Sequence, residues 1–486
     1  MGKQVTDYLL YRRRYLLGYS LIGLTIVGLL VMAAFYIPGG LSKTEMNSVV
    51  MSNVISLKFN YFHPNSIVNF PYHFLQRLSL ETFGVSLISI KLPSLLLGLA
   101  SVFGMLLLLR MWFRRNVAVL TTILVVTTGP FLFMAQNGTP DIIYIFWSVW
   151  LLVAAMMISR HAKWSGTWKI ILFGIAALSL YTPLSLYILI ALASATILHP
   201  HLRYLVRRLP KVKVFGAALC ALVLISPLVY VCIRHPSLGL MLLGIPVKWP
   251  NLQANFLELL NQYFNFASSG NTVPMTPVYG LGSTILIVLG IIRLITTKYT
   301  ARSYIVVAWI ILLVPALIVD PSFASITFVP ALLLMATGIS MLITNWYKLF
   351  PRNPYARLTG LVPLAIFIGG MVFSGVDRYT YGYLYNPQIT HNFSKDLQLV
   401  NTQLNDKGRG ATQLVVSKQE APFYNIIAHY NENVSVSTQP PVTPADTTIV
   451  SHAAYRTLSL MTPYRVVTDG STNNSDRFYI YKTNGK

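Results

Sequence analysis

The chain has 486 residues, of which 54% are hydrophobic and only 10% are charged, and its mean hydropathy is +0.58. Because about a quarter of the residues in a soluble globular protein are charged, this composition excludes that class and predicts a polytopic membrane protein. The formal net charge of +23 would suggest nucleic-acid binding in a soluble protein. In a membrane protein such an excess reports topology, so no nucleic-acid partner is expected.

Eleven apolar segments are predicted to cross about 30 Å of hydrocarbon, alone or within a bundle. The fifth and sixth are short and are separated by "YTPLS", where Pro183 lacks an N–H donor and favours a turn, so one long kinked span is the alternative. The seventh contains both cysteines, Cys220 and Cys232, about three helical turns apart, which excludes a disulfide between them. The eleven segments cover residues 15–37, 87–109, 117–134, 141–158, 168–181, 183–198, 213–232, 278–295, 303–319, 325–346 and 358–376.

The distribution of Lys and Arg indicates a cytoplasmic N-terminus. With eleven spans every cytoplasmic loop is basic, whereas merging the fifth and sixth would place "HLRYLVRRLPKVK" outside. The sequence therefore predicts a multi-pass protein of the cytoplasmic membrane, with outer loops at 38–86 and 234–277 and an extracytoplasmic C-terminal segment. The outer loops before the last span carry few cations, namely Lys43, Lys58, Arg77, Lys91, Arg234 and Lys248.

Three short amphipathic helices are predicted in the two outer loops. They are "EMNSVVMSNVISLKF" and "YHFLQRLSLETFG" in the first loop and "WPNLQANFLELLNQYFNF" in the second. Because such helices lie in the membrane interface, together they predict a roofed cavity at the outer leaflet, and simple capping of the bundle is the alternative. Glu45 begins the first helix and Asp141 begins the fourth span, in "AQNGTPDIIYIFW". An acid at the mouth of a span is a functional candidate.

Residues 379–486 are predicted to form a separate extracytoplasmic α/β domain, whereas residues 1–378 form the transmembrane module. Helical patterns occur in "FSKDLQLVNTQLND" and "APFYNIIAHY", and short strand patterns occur in "TQLVVS", "NVSVS", "TTIVSH", "YRVVTDG" and "RFYIYK". Helices that alternate with short strands are typical of a small domain with one sheet. A lid or acceptor-binding role and a passive solubilising role both remain open for this domain.

One segment has the spacing of a known family. In "NFPYHFLQRLSLETFGVSLISIKLPSLLLGLASV" the matching positions are Pro71, Phe83, Gly84, Leu92, Pro93 and Ser94. With the outer helices and the acid that opens the fourth span, the chain resembles GT-C class integral-membrane glycosyltransferases. The specific likeness is to the bacterial protein O-mannosyltransferase-like and aminoarabinose-transferase-like (PMT/ArnT-like) branch, over most of residues 10–380.

This resemblance implies a mainly α polytopic membrane bundle of GT-C type with a small C-terminal extracytoplasmic α/β domain. It also implies transfer of a sugar, a hexose or pentose, from a polyprenyl-phosphate-linked donor to an acceptor at the outer face of the membrane. The expected acceptors are a glycolipid, a cell-wall polymer or a secreted protein, and membrane lipids are further partners. Two rival interpretations are a catalytically impaired GT-C-like scaffold or lipid-binding protein and a lipid-linked saccharide transporter or flippase. The chain has no internal repeat to support a transporter.

The chain departs from the family in the first outer loop and at a late span, where "FASITFVP" replaces the basic residue and Tyr that often begin that span. The acidic pair of the first outer loop, Asp-Glu in the family, is Thr44–Glu45 here, and the Lys before the Pro pair is Asn69. Glu45 is therefore the predicted base, and Asp141 is predicted to position the acceptor. These two acids are also the residues that could hold a divalent metal ion, and no other cofactor is expected. The predicted substrate-binding residues are Lys43, His63, Asn69, His73, Arg77 and Lys91.

Structural explanations compete with each of these assignments. Glu45 and Asp141 could simply be acids at helix starts, where they complement the helix dipole. His63 and His73 could be packing residues, since no His spacing typical of a metal site is present. Arg77 and Lys91 could extend towards the interface along an apolar surface.

Overall fold

The computed structural model describes most of the chain. The described residues are 9–37, 39–55, 64–160, 165–266, 277–297, 300–349, 354–385, 392–404, 412–431, 433–439, 447–456, 462–469 and 475–482. They form a mainly helical bundle followed by a small sheet, as the sequence predicts.

The bundle contains eighteen α-helices and one 3-10 helix among the described residues. The 3-10 helix, Ala324–Thr327, leads directly into the α-helix that begins at Phe328. The α-helices are α1 (Leu9–Phe35), α2 (Lys43–Val54), α3 (Pro64–Ile67), α4 (Phe70–Phe83), α5 (Leu87–Trp112), α6 (Arg115–Val126), α7 (Gly129–Gln136), α8 (Asp141–Ser159), α9 (Ser165–Ser179), α10 (Leu186–Leu198), α11 (Pro200–Arg207), α12 (Lys211–Arg234), α13 (Pro236–Leu242), α14 (Leu252–Phe264), α15 (Leu281–Thr296), α16 (Ala301–Val319), α17 (Phe328–Leu349) and α18 (Pro354–Tyr385).

Seven helices in the described ranges are long and apolar enough to cross a membrane. If each of two bent helix pairs also forms one span, the number of spans rises to nine. The bent pairs are α6–α7, with a bend of 68°, and α10–α11, with a bend of 96°. Two shorter apolar helices, α9 and α15, coincide with the fifth and eighth predicted segments. All eleven predicted segments are thus helical, although length and composition alone support seven to nine spans. The chain is a multi-pass membrane protein.

The turn predicted at "YTPLS" separates α9 from α10. Leu184 has a φ of 64° there, and its N–H donates to the Leu242 carbonyl at 2.9 Å. A left-handed conformation is costly for a residue with a Cβ, so the contact with α13 helps to hold this turn. The structure therefore supports two helices in this region rather than one kinked span.

The three helices predicted in the outer loops are present as α2, α4 and α14. Their orientation relative to a bilayer stays a prediction. The last helix of the bundle, α18, runs to Tyr385, beyond the predicted end of the last span at 376. The boundary between the two predicted domains also stays a prediction.

The C-terminal region contains one five-stranded sheet. Its strands are β3 (Thr412–Val415), β4 (Val434–Ser437), β5 (Thr447–Ser451), β6 (Arg465–Asp469) and β7 (Ser475–Lys482), in the order β4-β3-β5-β7-β6. Strand β3 is parallel to β4 and β5, and β7 is antiparallel to β5 and β6. The helices here are α19 (Asp396–Leu404), α20 (Ala421–His429) and α21 (His452–Tyr455). Each predicted strand and helix is present.

This sheet region packs on the segment that contains α2 and α4. A two-residue strand β1 (Leu41–Ser42) pairs antiparallel with β2 (Phe393–Ser394). One hydrophobic cluster joins side chains of both regions, and the Asn401 amide donates to the Val85 carbonyl at 3.2 Å. The cluster includes Leu41, Val49, Leu80, Ile90, Leu397, Val400, Leu414 and Ile427. We call this end of the bundle, which also carries the start of α8, the site end.

Candidate functional site

Glu45 is completely buried at the start of α2. The Ser42 Oγ accepts the Glu45 N–H at 3.2 Å, and Glu45 Oε2 accepts the Ser42 N–H at 2.7 Å. This reciprocal pair is a capping box, which satisfies two N–H groups that a helix start leaves without partners. Capping of the helix start therefore explains the role of Oε2 but not that of Oε1.

The other oxygen of Glu45 binds a distant loop. Glu45 Oε1 accepts the Gly138 N–H at 2.7 Å and lies 3.6 Å from Lys91 Nζ, with both charged side chains fully enclosed. Lys91 Nζ also donates to Gln136 Oε1 at 2.8 Å. Glu45 and Lys91 thus connect α2, α5 and the 137–140 loop between α7 and α8. A buried pair of this kind holds its geometry because either charge alone would be costly.

A side chain at position 138 would displace its neighbours. A Cβ there would lie 2.8 Å from Ile90 Cγ2 and 3.4 Å from Glu45 Oε1. The close approach lets the Gly138 N–H reach Glu45 while the Gly138 carbonyl accepts from Gln76 Nε2 at 3.0 Å. The N–H and the carbonyl of Gly138 are therefore each held by a buried side chain, the first by Glu45 of α2 and the second by Gln76 of α4.

Asp141 lies on the far side of the same loop. Its Oδ2 accepts the Thr139 hydroxyl at 2.7 Å, and Thr139 Oγ1 accepts from Asn137 Nδ2 at 3.0 Å. The Asp141 side chain is exposed, although protein atoms crowd its carboxyl group from several sides. The loop therefore has one carboxylate buried behind it and one exposed in front of it.

Tyr72 of α4 lies within electrostatic reach of both acids. Burial raises the pKa of Tyr72, and the charges of Glu45 and Asp141 raise it further. The Tyr72 hydroxyl hydrogen bonds with Ser94 Oγ at 2.7 Å, and Ser94 Oγ donates to the Thr139 carbonyl at 3.3 Å. The structure thus brings the two predicted acids to one loop, although their roles stay predictions.

The sequence analysis missed the polar residues that fix this loop. Gln76, Gln136 and Tyr72 are buried and hydrogen bonded to the loop or its supports. Tyr72 and Gln76 are four residues apart on α4, so they share a face, which is the one sequence signal that could have identified them.

The predicted substrate-binding residues lie in different environments. Lys43 is exposed at the first position of α2. Asn69 precedes α4 with a φ of 53°, and its Oδ1 is buried without a hydrogen-bond partner among the described residues. Lys91 is enclosed by Glu45 and Gln136, so its ammonium does not face an open cleft. Asn69 is thus the member of this group that has a buried polar atom still available to a ligand.

The other three candidates have structural partners or cannot be placed. His73 is buried, its Nδ1 lies 2.9 Å from Ser52 Oγ, and burial lowers its pKa to about 4, so its imidazole is neutral near pH 7. Arg77 Nε forms an ion pair with Glu81 Oε1 at 2.8 Å, and another guanidinium nitrogen donates to Asn53. His63 lies outside the described residues.

The surroundings of Glu45 do not fit a divalent metal ion. Both of its oxygens accept backbone N–H groups, and the Lys91 ammonium occupies the position where a cation would bind. In the described part of the chain no three His, Cys, Asp or Glu side chains cluster as metal ligands. The residues around Glu45 therefore do not form a metal site.

Arg378 of α18 is a cation at the site end that the sequence analysis missed. Its Nη1 donates to the Pro277 carbonyl at 2.6 Å, and its Nη2 is buried with no partner in the described ranges. The neighbouring Tyr379 hydroxyl donates to the carbonyls of Ala33 and Ile37, at the end of α1. A buried guanidinium N–H without a partner is costly, which makes Arg378 a candidate for contact with an anion.

Comparison with known proteins supports the architecture. Residues 68–231 match the family described as dolichyl-phosphate-mannose-protein mannosyltransferase. The fold is similar to the crystal structure of ArnT from Cupriavidus metallidurans bound to undecaprenyl phosphate, with a TM-score of 0.54, 13% identity, and coverage of 95% of this chain and 97% of that one. The chain has the GT-C fold, and its PMT/ArnT-like resemblance is confirmed.

Two further structures agree with the GT-C assignment. The apo state of the same ArnT has a TM-score of 0.52 and 13% identity, with coverage of 96% of this chain and 98% of that one. The Archaeoglobus fulgidus oligosaccharyltransferase tethered to an acceptor peptide has a TM-score of 0.51 and 12% identity, with coverage of 87% of this chain and 64% of that one. No curated protein matches the sequence.

The family match covers α4 through most of α12 and so includes Lys91 and Asp141 but not Glu45. Glu45 joins that region through the tertiary contact with Gly138, which is 93 residues away in the chain. The GT-C site end therefore depends on a segment outside the matched range.

Proposed function

We propose that the protein transfers a sugar from a polyprenyl-phosphate-linked donor to a hydroxyl acceptor at the outer surface of the membrane. The observation that supports this most directly is the position of Asp141, an exposed residue at the head of α8 whose carboxyl group Thr139 orients at the edge of a buried polar network. The matched family and the similar oligosaccharyltransferase are both named as sugar transferases, and one similar structure contains undecaprenyl phosphate. The fold is suited to a lipid-linked donor, whose head must react at the membrane surface.

In this proposal Asp141 accepts the proton of the acceptor hydroxyl. The acceptor oxygen forms a bond to the anomeric carbon of the sugar, and the bond between that carbon and the phosphate oxygen breaks. The polyprenyl phosphate leaves with the bonding electrons, and a cation that contacts its oxygens lowers the barrier. Arg378 is our candidate for that cation because Nη2 has no partner among the described residues.

Glu45 has a positioning role rather than the role of base in this proposal. Its carboxylate is enclosed, accepts two backbone N–H groups and is paired with Lys91. A group in these surroundings would have to break three contacts to take a proton from a substrate. It instead holds Gly138, three residues before Asp141, and so determines where the exposed acid lies.

A lipid-binding protein without transfer activity is the second candidate. Two observations favour it: Thr44 replaces the first acid of the family's pair, and the Lys91 ammonium faces inward rather than towards a phosphate. Both interpretations require a polyprenyl phosphate at the site end, and they differ in whether the bond to the sugar breaks.

The test compares the purified full-length protein with Asp141→Asn, using polyprenyl-phosphate hexose and pentose donors and measuring release of polyprenyl phosphate. We expect the variant to be slower by about a hundredfold or more, the usual effect of losing a general base. Asp320→Asn is the matched control, because Asp320 follows α16 and accepts the Ser322 N–H at 3.0 Å without contact to the loop. Equal rates for wild type and Asp141→Asn would refute the role of Asp141, and donor binding without release would favour the second candidate.

A further inference from the structure

A cavity of about 460 Å³ lies at the other end of α8 from Asp141. It is lined by the ends of α5 and α8, at Trp112 and Ser159, and by parts of α9, α10, α11 and α16. Helix α8 has 19 residues, which span about 28 Å at 1.5 Å per residue. The cavity and the candidate site are therefore near opposite surfaces of the membrane.

The cavity walls are mostly apolar, and one of them is a surface helix. Leu202, Leu205 and Val206 of α11 line the cavity, while Arg203 and Arg207 on the same helix are exposed. Because α11 is bent by 96° from α10, it runs nearly along the surface if α10 crosses the membrane. A short basic amphipathic helix in that orientation is typical of contact with lipid headgroups.

Three cations line this cavity, Arg160, Lys169 and Arg302, and none of its lining residues is Asp or Glu. Arg160 donates to the Met111 carbonyl, and Arg302 Nη1 donates to the Trp112 carbonyl at 3.1 Å. These bonds cap the end of α5, and each guanidinium keeps further N–H donors because it carries five. The bonds to the α5 carbonyls therefore use only some of the N–H donors of Arg160 and Arg302.

Lys169 differs from the two arginines in having no partner in the described part of the chain. The residue is only 2% exposed, yet it lines the cavity, and its ammonium has no hydrogen bond or ion pair with any described residue. The Lys213 charge is close enough to act on it as well. Because no carboxylate lines the cavity, the positive charges of Lys169, Arg160 and Arg302 are expected to attract an anion there.

We propose that this cavity binds an anionic membrane phospholipid, with the phosphate near Lys169 and Arg302 and an acyl chain along the apolar wall. The volume is within the range of small-molecule sites, and basic pockets between membrane helices are suited to phospholipid headgroups. The apolar walls favour an amphiphile over a free anion. This lipid site is separate from the donor site, because α8 lies between them.

The test measures lipid retention by the purified full-length protein after exchange into vesicles of equal phosphatidylglycerol and phosphatidylcholine. Native mass spectrometry counts the bound lipids, and thermal unfolding reports any stabilisation by phosphatidylglycerol. We expect wild type to retain phosphatidylglycerol preferentially. Lys169→Met should lower that preference by about fivefold or more, the effect expected for one cation near a lipid phosphate, and should lose the lipid-dependent rise in Tm.

Two further variants separate the cavity from general surface charge. Ala155→Phe narrows the cavity without changing its charge and should also lower retention, whereas Arg207→Gln removes an exposed charge from α11 and should not. The proposal is wrong if Lys169→Met keeps the wild-type preference, or if Arg207→Gln loses as much as Lys169→Met. Displacement of the bound phosphatidylglycerol by inorganic phosphate at the same concentration would overturn a lipid occupant in favour of a free anion.

Discussion

The two ends of α8 differ in whether a nearby Lys has a carboxylate partner. At the site end, the enclosed Lys91 is compensated by Glu45 and Gln136, and these side chains belong to a network that fixes the 137–140 loop. At the other end, Lys169 lines a cavity and has no acidic partner in the described part of the chain. A compensated charge rigidifies its surroundings, whereas an uncompensated one leaves a site for a ligand.

This contrast shows that burial alone does not identify a functional cation. Lys91 was predicted to bind substrate, yet its ammonium faces the protein interior. Lys169, for which the sequence analysis gave no binding role, lines a cavity. The number of carboxylates within reach distinguishes the two.

The largest expected effect is that of Lys91→Met. Removal of one partner leaves Glu45 buried and unpaired, which costs about 3–5 kcal/mol, so the Tm in neutral detergent should fall sharply. The double variant Lys91→Met with Glu45→Gln should recover a large part of the loss, because no charge is then left buried. A double variant no more stable than the single one would show that Glu45 and Lys91 are not coupled, and the comparison would fail.

His73 should make the site end sensitive to acid. Because its folded pKa is lowered to about 4 while the unfolded value is about 6.5, the unfolded state binds more protons between these values. Stability is therefore retained above about pH 6.5 and decreases as the pH falls towards 4, by about 3 kcal/mol at most. Thermal unfolding of wild type and His73→Gln from pH 7.5 to 4 measures the difference.

Other effects of pH act on both proteins, so the quantity that tests this prediction is the difference in the slope of stability against pH between wild type and His73→Gln. The same slope in both would contradict a buried neutral imidazole.

Gly138→Ala should have a smaller effect that is concentrated in the loop. The added methyl group would press on Ile90, so we expect a loss of about 1–3 kcal/mol. If the loop positions Asp141, the transfer rate should fall by more than the loss of folded protein alone would cause. Gly239→Ala is the matched control, because a Cβ there meets nothing within 4 Å. An active Gly138→Ala variant would mean that the loop is not a positioning element.

The smallest effect is predicted for Lys169→Met in neutral detergent without anionic lipid. Since the charge has no partner in the described ranges, its removal should leave stability unchanged or raise it by up to about 1 kcal/mol. This change in stability is opposite in sign to that expected for Lys91→Met. It is therefore the most direct test of the difference between a paired and an unpaired Lys. A marked loss of Tm for Lys169→Met would indicate a counter-charge within the protein.

Much of the architecture could be predicted from the sequence. The apolar segments, the turn at Pro183 and the C-terminal strands depend on local periodicity and turn residues, and all are present. The eleven segments exceed the seven to nine spans that length and composition support, because bent and short helices cannot be counted from apolarity alone. Asp141 could be identified by its position at the head of a span.

The sequence by itself determined the class of protein, the helices and the position of both acids along the chain, because periodicity and composition act over a few residues. Only the tertiary structure decided that Glu45 is enclosed, that Asp141 is exposed and that Lys91 faces inward. The Glu45 contact with Gly138 joins residues 93 apart, and the Lys91 contact with Gln136 joins residues 45 apart. Local patterns do not encode such pairings, since which side chain meets a buried charge depends on how distant helices pack.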